Sequence, residues 1–99
     1  MIKHIVMWNV RGVTAAEKQE AAWKVKRKFE GLVGKVPGLR TLEIGIDISR
    51  ISYACDVVLY SEFESEADLK GYAEHPAHLQ VRNELEGVRT DRYQVDYIP

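Results

Sequence analysis

With a single cysteine in 99 residues the chain cannot close an internal disulfide, so burial and hydrogen bonding must hold the fold. One Cys and three His, with no paired-Cys spacing, also leave too few soft ligands for a side-chain zinc site. Neither sign of charge prevails: fourteen Lys and Arg against fifteen Asp and Glu give a net charge of −1. No global field therefore draws the chain to nucleic acid or to an anionic membrane. Long apolar runs are missing, and Met1-Ile2-Lys3-His4 passes straight into a strand-like pattern. The expectation is a cytoplasmic protein without a leader. Proline and glycine are sparse and act as punctuation, with no linker, repeat or low-complexity stretch. The chain reads as one domain, 1–99, with room for one modest core. A Gly-rich phosphate loop, a nucleophile elbow and a paired-carboxylate motif are absent too.

What is present is strongly periodic. Residues 2–10 predict a strand, with Ile2, His4, Val6, Trp8 and Val10 on one face and Lys3, Ile5, Met7 and Asn9 on the other. Thr14-Ala15-Ala16-Glu17 has the form of a capping box. The helix it opens carries Ala22, Val25, Phe29, Leu32 and Val36 at three- and four-residue steps, up to a stop at Pro37-Gly38. Between them Lys24, Lys26, Arg27 and Lys28 read as a solvated face rather than an anion site. Two strands follow, at 39–48 and 55–63, joined by a loop through Ser49-Arg50-Ile51-Ser52. Ser65 caps a short helix that ends near Glu74, and Pro76 begins another whose inward stripe is His78, Val81, Leu85 and Val88. A last strand at 90–98 alternates Tyr93, Val95 and Tyr97 with Arg92, Gln94 and Asp96.

The order β-α-β-β-α-β is the split βαβ pattern, so the fold class is α+β. It predicts a ferredoxin-like protomer, a four-stranded antiparallel sheet with its helices on one face. That arrangement leaves a packing problem. The first strand is apolar on both faces and Val57 to Tyr60 is a continuous apolar run, a pattern that needs cover on both sides. The helices cover one. Every ~40 Å² of apolar surface hidden on the other is worth about 1 kcal/mol. A second copy of the chain, packed sheet against sheet about a two-fold axis, is the economical cover. The expectation is a homodimer with a barrel-like interior.

Three polar side chains are predicted to converge between sheet and helices: His4 from the first strand, Tyr72 three residues after Leu69, and His78 on the stripe of Val81 and Leu85. Val6, Trp8, Phe29 and Val81 would form the apolar wall around them. A few convergent polar groups in an apolar pocket are the general form of a small-molecule site. His78 lies in the first turn of a helix, where the dipole disfavours imidazolium, so it would be neutral and able to accept a proton. The same residues admit plainer roles. His4 would be a core histidine satisfied by one hydrogen bond, and His75 a cap for the helix at Pro76. Tyr72 and His78 would be packing, and Asp56 and Glu62 edge or interface groups. Nothing in the residues demands oxygen chemistry.

Taken in order, Ile2-Lys3-His4-Ile5-Val6, Val36-Pro37-Gly38-Leu39, Asp56, Glu62-Phe63-Glu64-Ser65, Tyr72-Ala73-Glu74-His75-Pro76-Ala77-His78 and Val95-Asp96-Tyr97 resemble the Dabb family, the stress-responsive dimeric α/β-barrel proteins. The resemblance runs end to end and implies a dimeric α/β barrel. Some plant members are polyketide cyclases that use a Tyr and a His as an acid–base pair. Those roles would fall on Tyr72 and His78, with His4 lining the same pocket. Several relatives hold a magnesium ion by main-chain carbonyls after the first helix, which would be those of Val33, Val36 and Leu39. The chain departs from the family at Ile48 to Ala54, which is short, and at Cys55, where a Tyr is usual. Three functions follow as expectations: a homodimer that binds an apolar small molecule without a cofactor, a cyclase- or isomerase-like acid–base enzyme, or a structural stress-response dimer with no ligand.

Overall fold

The computed structural model describes Met1–Pro99. Strands β1 (Ile2–Val10), β2 (Leu39–Ile46), β3 (Val57–Phe63) and β4 (Arg89–Tyr97) form one antiparallel sheet in the order β2-β3-β1-β4. Helices α1 (Ala15–Glu30), α2 (Glu66–Glu74) and α3 (Pro76–Glu84) lie on one side of it. This is the α+β, ferredoxin-like arrangement that the sequence order predicts.

Local chemistry sets the boundaries. The Thr14 hydroxyl accepts the Glu17 N–H (3.1 Å) and the Glu17 carboxylate accepts the Thr14 N–H (3.0 Å), which closes the capping box of α1. The helix then stops at Glu30, a turn and a half short of the expected end at Val36. Leu32 and Val36 are still buried, but in tight turns that run through Gly34 at φ +83°. Helical spacing survives there without the helix. β2 also ends early, and Ile48 is 95% exposed. The Asp47 N–H makes a last ladder bond to the Asp56 carbonyl (2.9 Å), and its carboxylate then accepts from the Ser49 hydroxyl and the Arg50 N–H (both 2.9 Å). That Asx turn reverses the chain before Ile48 can pair. Asp56 is not an edge group: it accepts the Val10 N–H (2.9 Å) and lies 3.3 Å from Lys18 Nζ, tying the end of β1 to α1.

Gly38 is the position where glycine is indispensable. It holds φ +77°, and a Cβ there would fall 2.2 Å from the side chain of Asp68 on α2.

The core fills the space between sheet and helices. Trp8 stacks on Phe29 with centroids 5.1 Å apart, and Val6, Leu59, Phe63, Leu85 and Val88 are almost fully buried around them. On the opposite face nothing is packed. Ile5 stands beside Tyr60 and Val95, and Met7 beside Val58 and Tyr93, in register. Val95 is 59% exposed and Tyr93 55%, so these register neighbours form an exposed apolar surface of the kind that marks an interaction site.

Candidate functional site

α2 and α3 meet at His75, which stays extended at φ −66°, ψ 135° and serves as the cap of both. Its Nδ1 accepts the Ala77 N–H at 3.0 Å, and Pro76, which has no N–H to satisfy, occupies the first turn. His75 is thereby spent on capping. The break points Tyr72, in the last turn of α2, and His78, in the first turn of α3, toward each other, with ring centroids 4.3 Å apart.

His78 Nδ1–H donates to the Ala73 carbonyl (3.2 Å), which leaves Nε2 as the ring's free acceptor. Burial lowers its pKa from the ordinary 6.5, and the cations of Arg82, Arg89 and Arg92 push the same way against that hydrogen bond. His78 is a neutral base at pH 7. Tyr72 is 3% exposed; burial drives its hydroxyl far above the usual phenol range, with Arg89 and Arg92 opposing. It stays protonated and can only donate to a developing anion. The hydroxyl has no protein partner, and no wholly buried side-chain atom lacks one, so it opens onto the adjoining cavity.

His4 lies across from this pair, 6.1 Å centroid to centroid from Tyr72 and 6.2 Å from Phe63. It is a core histidine and a cavity wall at once. Its Nδ1–H donates to the Asp96 carboxylate at 2.5 Å, across the β1–β4 pairing. Asp96 also accepts from Gln94 (2.9 Å), whose oxygen in turn accepts from Arg92.

A cavity of about 650 Å³ opens between α2, α3 and β4, bounded by His4, Tyr72 and His78. Its remaining lining is more charged than the sequence reading anticipated. Lys70, Arg82, Arg92, Gln94 and Asp96 stand alongside Ile2 and Leu69. Val6, Trp8 and Phe29 do not reach it; they border a space of about 20 Å³ beside the two histidines, too small for an organic ligand. Val81 is core and borders neither. The sequence reasoning missed Asp96, Gln94, Arg92, Arg89 and Arg82. The signal was available: with Tyr93, Val95 and Tyr97 on the uncovered face, alternation forces Arg92, Gln94 and Asp96 beneath the helices.

The turn after α1 carries the carbonyls considered for magnesium. That of Val36 accepts the Leu39 N–H (3.3 Å), and no cluster of three His, Cys, Asp or Glu stands anywhere to complete a metal shell. A metal there would rest on main-chain oxygens alone, and nothing below depends on it. No helix is long and apolar enough to cross a membrane.

Residues 2–99 match the Stress responsive A/B Barrel Domain family, Dabb. A stress-response A/B barrel domain-containing protein of Arabidopsis thaliana, DABB1, is 46% identical over 41 residues, which are 41% of this chain and 20% of that protein. The matched stretch is thus a small part of that relative. A dimeric protein of ferredoxin-like fold from Bacteroides fragilis is 33% identical, with 97% of this chain and 93% of that one covered at a TM-score of 0.85. The fold also extends to a hydroxynitrile lyase from Passiflora edulis, 18% identical, with 99% and 92% covered at a TM-score of 0.80.

Proposed function

The chain belongs to the stress-responsive A/B barrel (Dabb) family, and on that premise we propose a homodimer in which each protomer holds a small carbonyl compound and moves a proton on it. The observation that carries the reading is the Tyr72–His78 pair, 4.3 Å apart at the mouth of a cavity of ligand size. His78 Nε2 takes a proton from the carbon next to the carbonyl. The electrons of that C–H bond move toward the carbonyl oxygen, and the Tyr72 hydroxyl donates to the enolate that forms. The same enolate can close a ring or return as an isomer, so the cyclase- and isomerase-like outcomes share one first step. His4, fixed through Nδ1 by Asp96, faces the same volume and orients the compound. A ligand-free structural role would leave that volume and an unpartnered Tyr72 hydroxyl unexplained.

The dimer rests on the uncovered face, where Ile5, Met7, Val58, Tyr93 and Val95 adjoin in register, and on the dimeric Bacteroides fragilis relative. Deuterium uptake at the α-carbon of enolisable ketones, followed by proton NMR, tests the chemistry. His78→Ala is expected to slow exchange by at least ~10²-fold, and Tyr72→Phe by ~10-fold or more. Exchange at the wild-type rate in His78→Ala would refute the mechanism.

A further inference from the structure

Three guanidinium groups gather at one end of the cavity: Arg82 from α3, and Arg89 and Arg92 from β4. Arg82 and Arg92 line the large volume, all three border the small space beside Tyr72 and His78, and all three also line a neighbouring cavity with Glu86 and Asp91. Arg89 is half-buried beside two aromatic rings, its Cζ 4.8 Å from the Trp8 centroid and 5.3 Å from that of Phe29. None of the three meets a carboxylate, although six ion pairs form elsewhere in the chain. Arg92 has only the neutral Gln94 oxygen, and the Asp96 carboxylate is taken by His4 and Gln94. Burial and the other two arginines lower the pKa of Arg89, a sign of mutual repulsion in a drying environment. Three cations held together with no carboxylate in ion-pairing reach favour an anion, and planar forks suit a planar oxyanion.

We propose that this end of the cavity is a carboxylate subsite, and that the compound taken beside Tyr72 and His78 is a small monoanionic oxo acid. The inference rests on the proton-transfer reading of that pair and names its substrate class. A carboxylate against Arg82 and Arg92 leaves the neighbouring keto group and its enolisable carbon next to His78, which those same arginines adjoin. His78 Nε2 takes the proton, the C–H electrons become the enol double bond, and the keto oxygen takes up the negative charge opposite the Tyr72 hydroxyl. Return of the proton regenerates His78, so no co-reactant is needed. Glu66 and Asp96 on the same lining weigh against a dianionic phosphate more than against a single carboxylate charge.

Calorimetric titration of the full-length protein with phenylpyruvate, its methyl ester and inorganic phosphate tests this. The acid is expected to bind at least ~10-fold tighter than the ester, by an advantage that shrinks as salt is raised. In the double variant Arg82→Gln, Arg92→Gln, both at exposed side chains, the advantage of acid over ester should disappear. Equal binding of acid and ester to the wild type overturns the subsite and leaves the Tyr72–His78 chemistry standing. So does an acid preference that survives the double substitution. Phosphate binding tighter than the acid overturns the carboxylate assignment. If neither acid nor ester binds, the cavity reading falls together with the subsite.

Discussion

On β1, the residues facing the helices are Ile2, His4, Val6, Trp8 and Val10, all buried, and those facing away are Lys3, Ile5, Met7 and Asn9. On β4, its neighbour in the sheet, the polarity is inverted. Arg92, Gln94 and Asp96 face the helices, while Tyr93, Val95 and Tyr97 face away, where a lone domain meets water. β2 and β3 are covered by α1 and the core, so the helix side is dry there; along β4 the helices stand off and leave the cavity. The two faces teach different things. The apolar outer face of β4 is the one the proposed dimer covers, and its polar inner face is the one turned to the cavity. On the proposed reading, one strand carries the assembly on its odd positions and the chemistry on its even ones.

The largest expected effect belongs to the packed side. Phe29→Ala should cost about 3–5 kcal/mol in urea unfolding by removing a fully buried ring under Trp8, at any protein concentration. A cost below ~1 kcal/mol would mean that side is not the main core. On the outer face, Val95→Asp places a charge opposite Ile5 at the centre of the proposed interface. Sedimentation velocity should show dimer dissociation eased by at least ~100-fold, with the monomer still folded. Dimers that persist at the wild-type concentration would remove the argument from that face.

A smaller effect is expected on the inner face of β4. Asp96→Asn removes the charge that accepts the His4 Nδ1–H; because Asp96 is about one-third exposed, the loss should be about 1 kcal/mol rather than the full value of a buried pair. The nitrogen shifts of the His4 ring should change with it, and an unaltered spectrum would show that the bond does not set the ring's state. The smallest effect is acid sensitivity. Folded His78 binds its proton less readily than the unfolded chain, whose value is near 6.5. Above that pH both states are neutral and His78 is no liability. As pH falls below it, the unfolded state takes up the proton first and folding loses free energy. His78→Gln should therefore flatten the fall of the urea midpoint just below pH 6.5, and an unchanged slope would contradict the direction of the shift.

Much of this was legible in the residues. Two-residue alternation on β1 already assigned Trp8 and Val6 to the helix side, and the capping box and Pro76 marked helix starts correctly. The errors have identifiable sources. Leu32 and Val36 keep helical spacing and burial without helical structure, because Gly34, at φ +83°, lets the chain turn tightly in the same volume. Val6, Trp8 and Phe29 were placed at a pocket because apolar residues beside a histidine look the same in sequence whether they line a cavity or fill a core. Arg89 was overlooked because nothing local announces that a basic residue at a strand's start will lie over Trp8.

Periodicity and capping act between residues a few positions apart, and they sufficed to determine the order of elements, the side of each strand that faces the helices, and the surplus of apolar sheet. Whether α2 and α3 close onto β4 or stand away from it depends on how side chains from three elements fill a common volume. That filling is a property of packing between distant segments. It decided that Tyr72 and His78 border open space, that Asp96 holds His4, and that three arginines meet with no carboxylate among them.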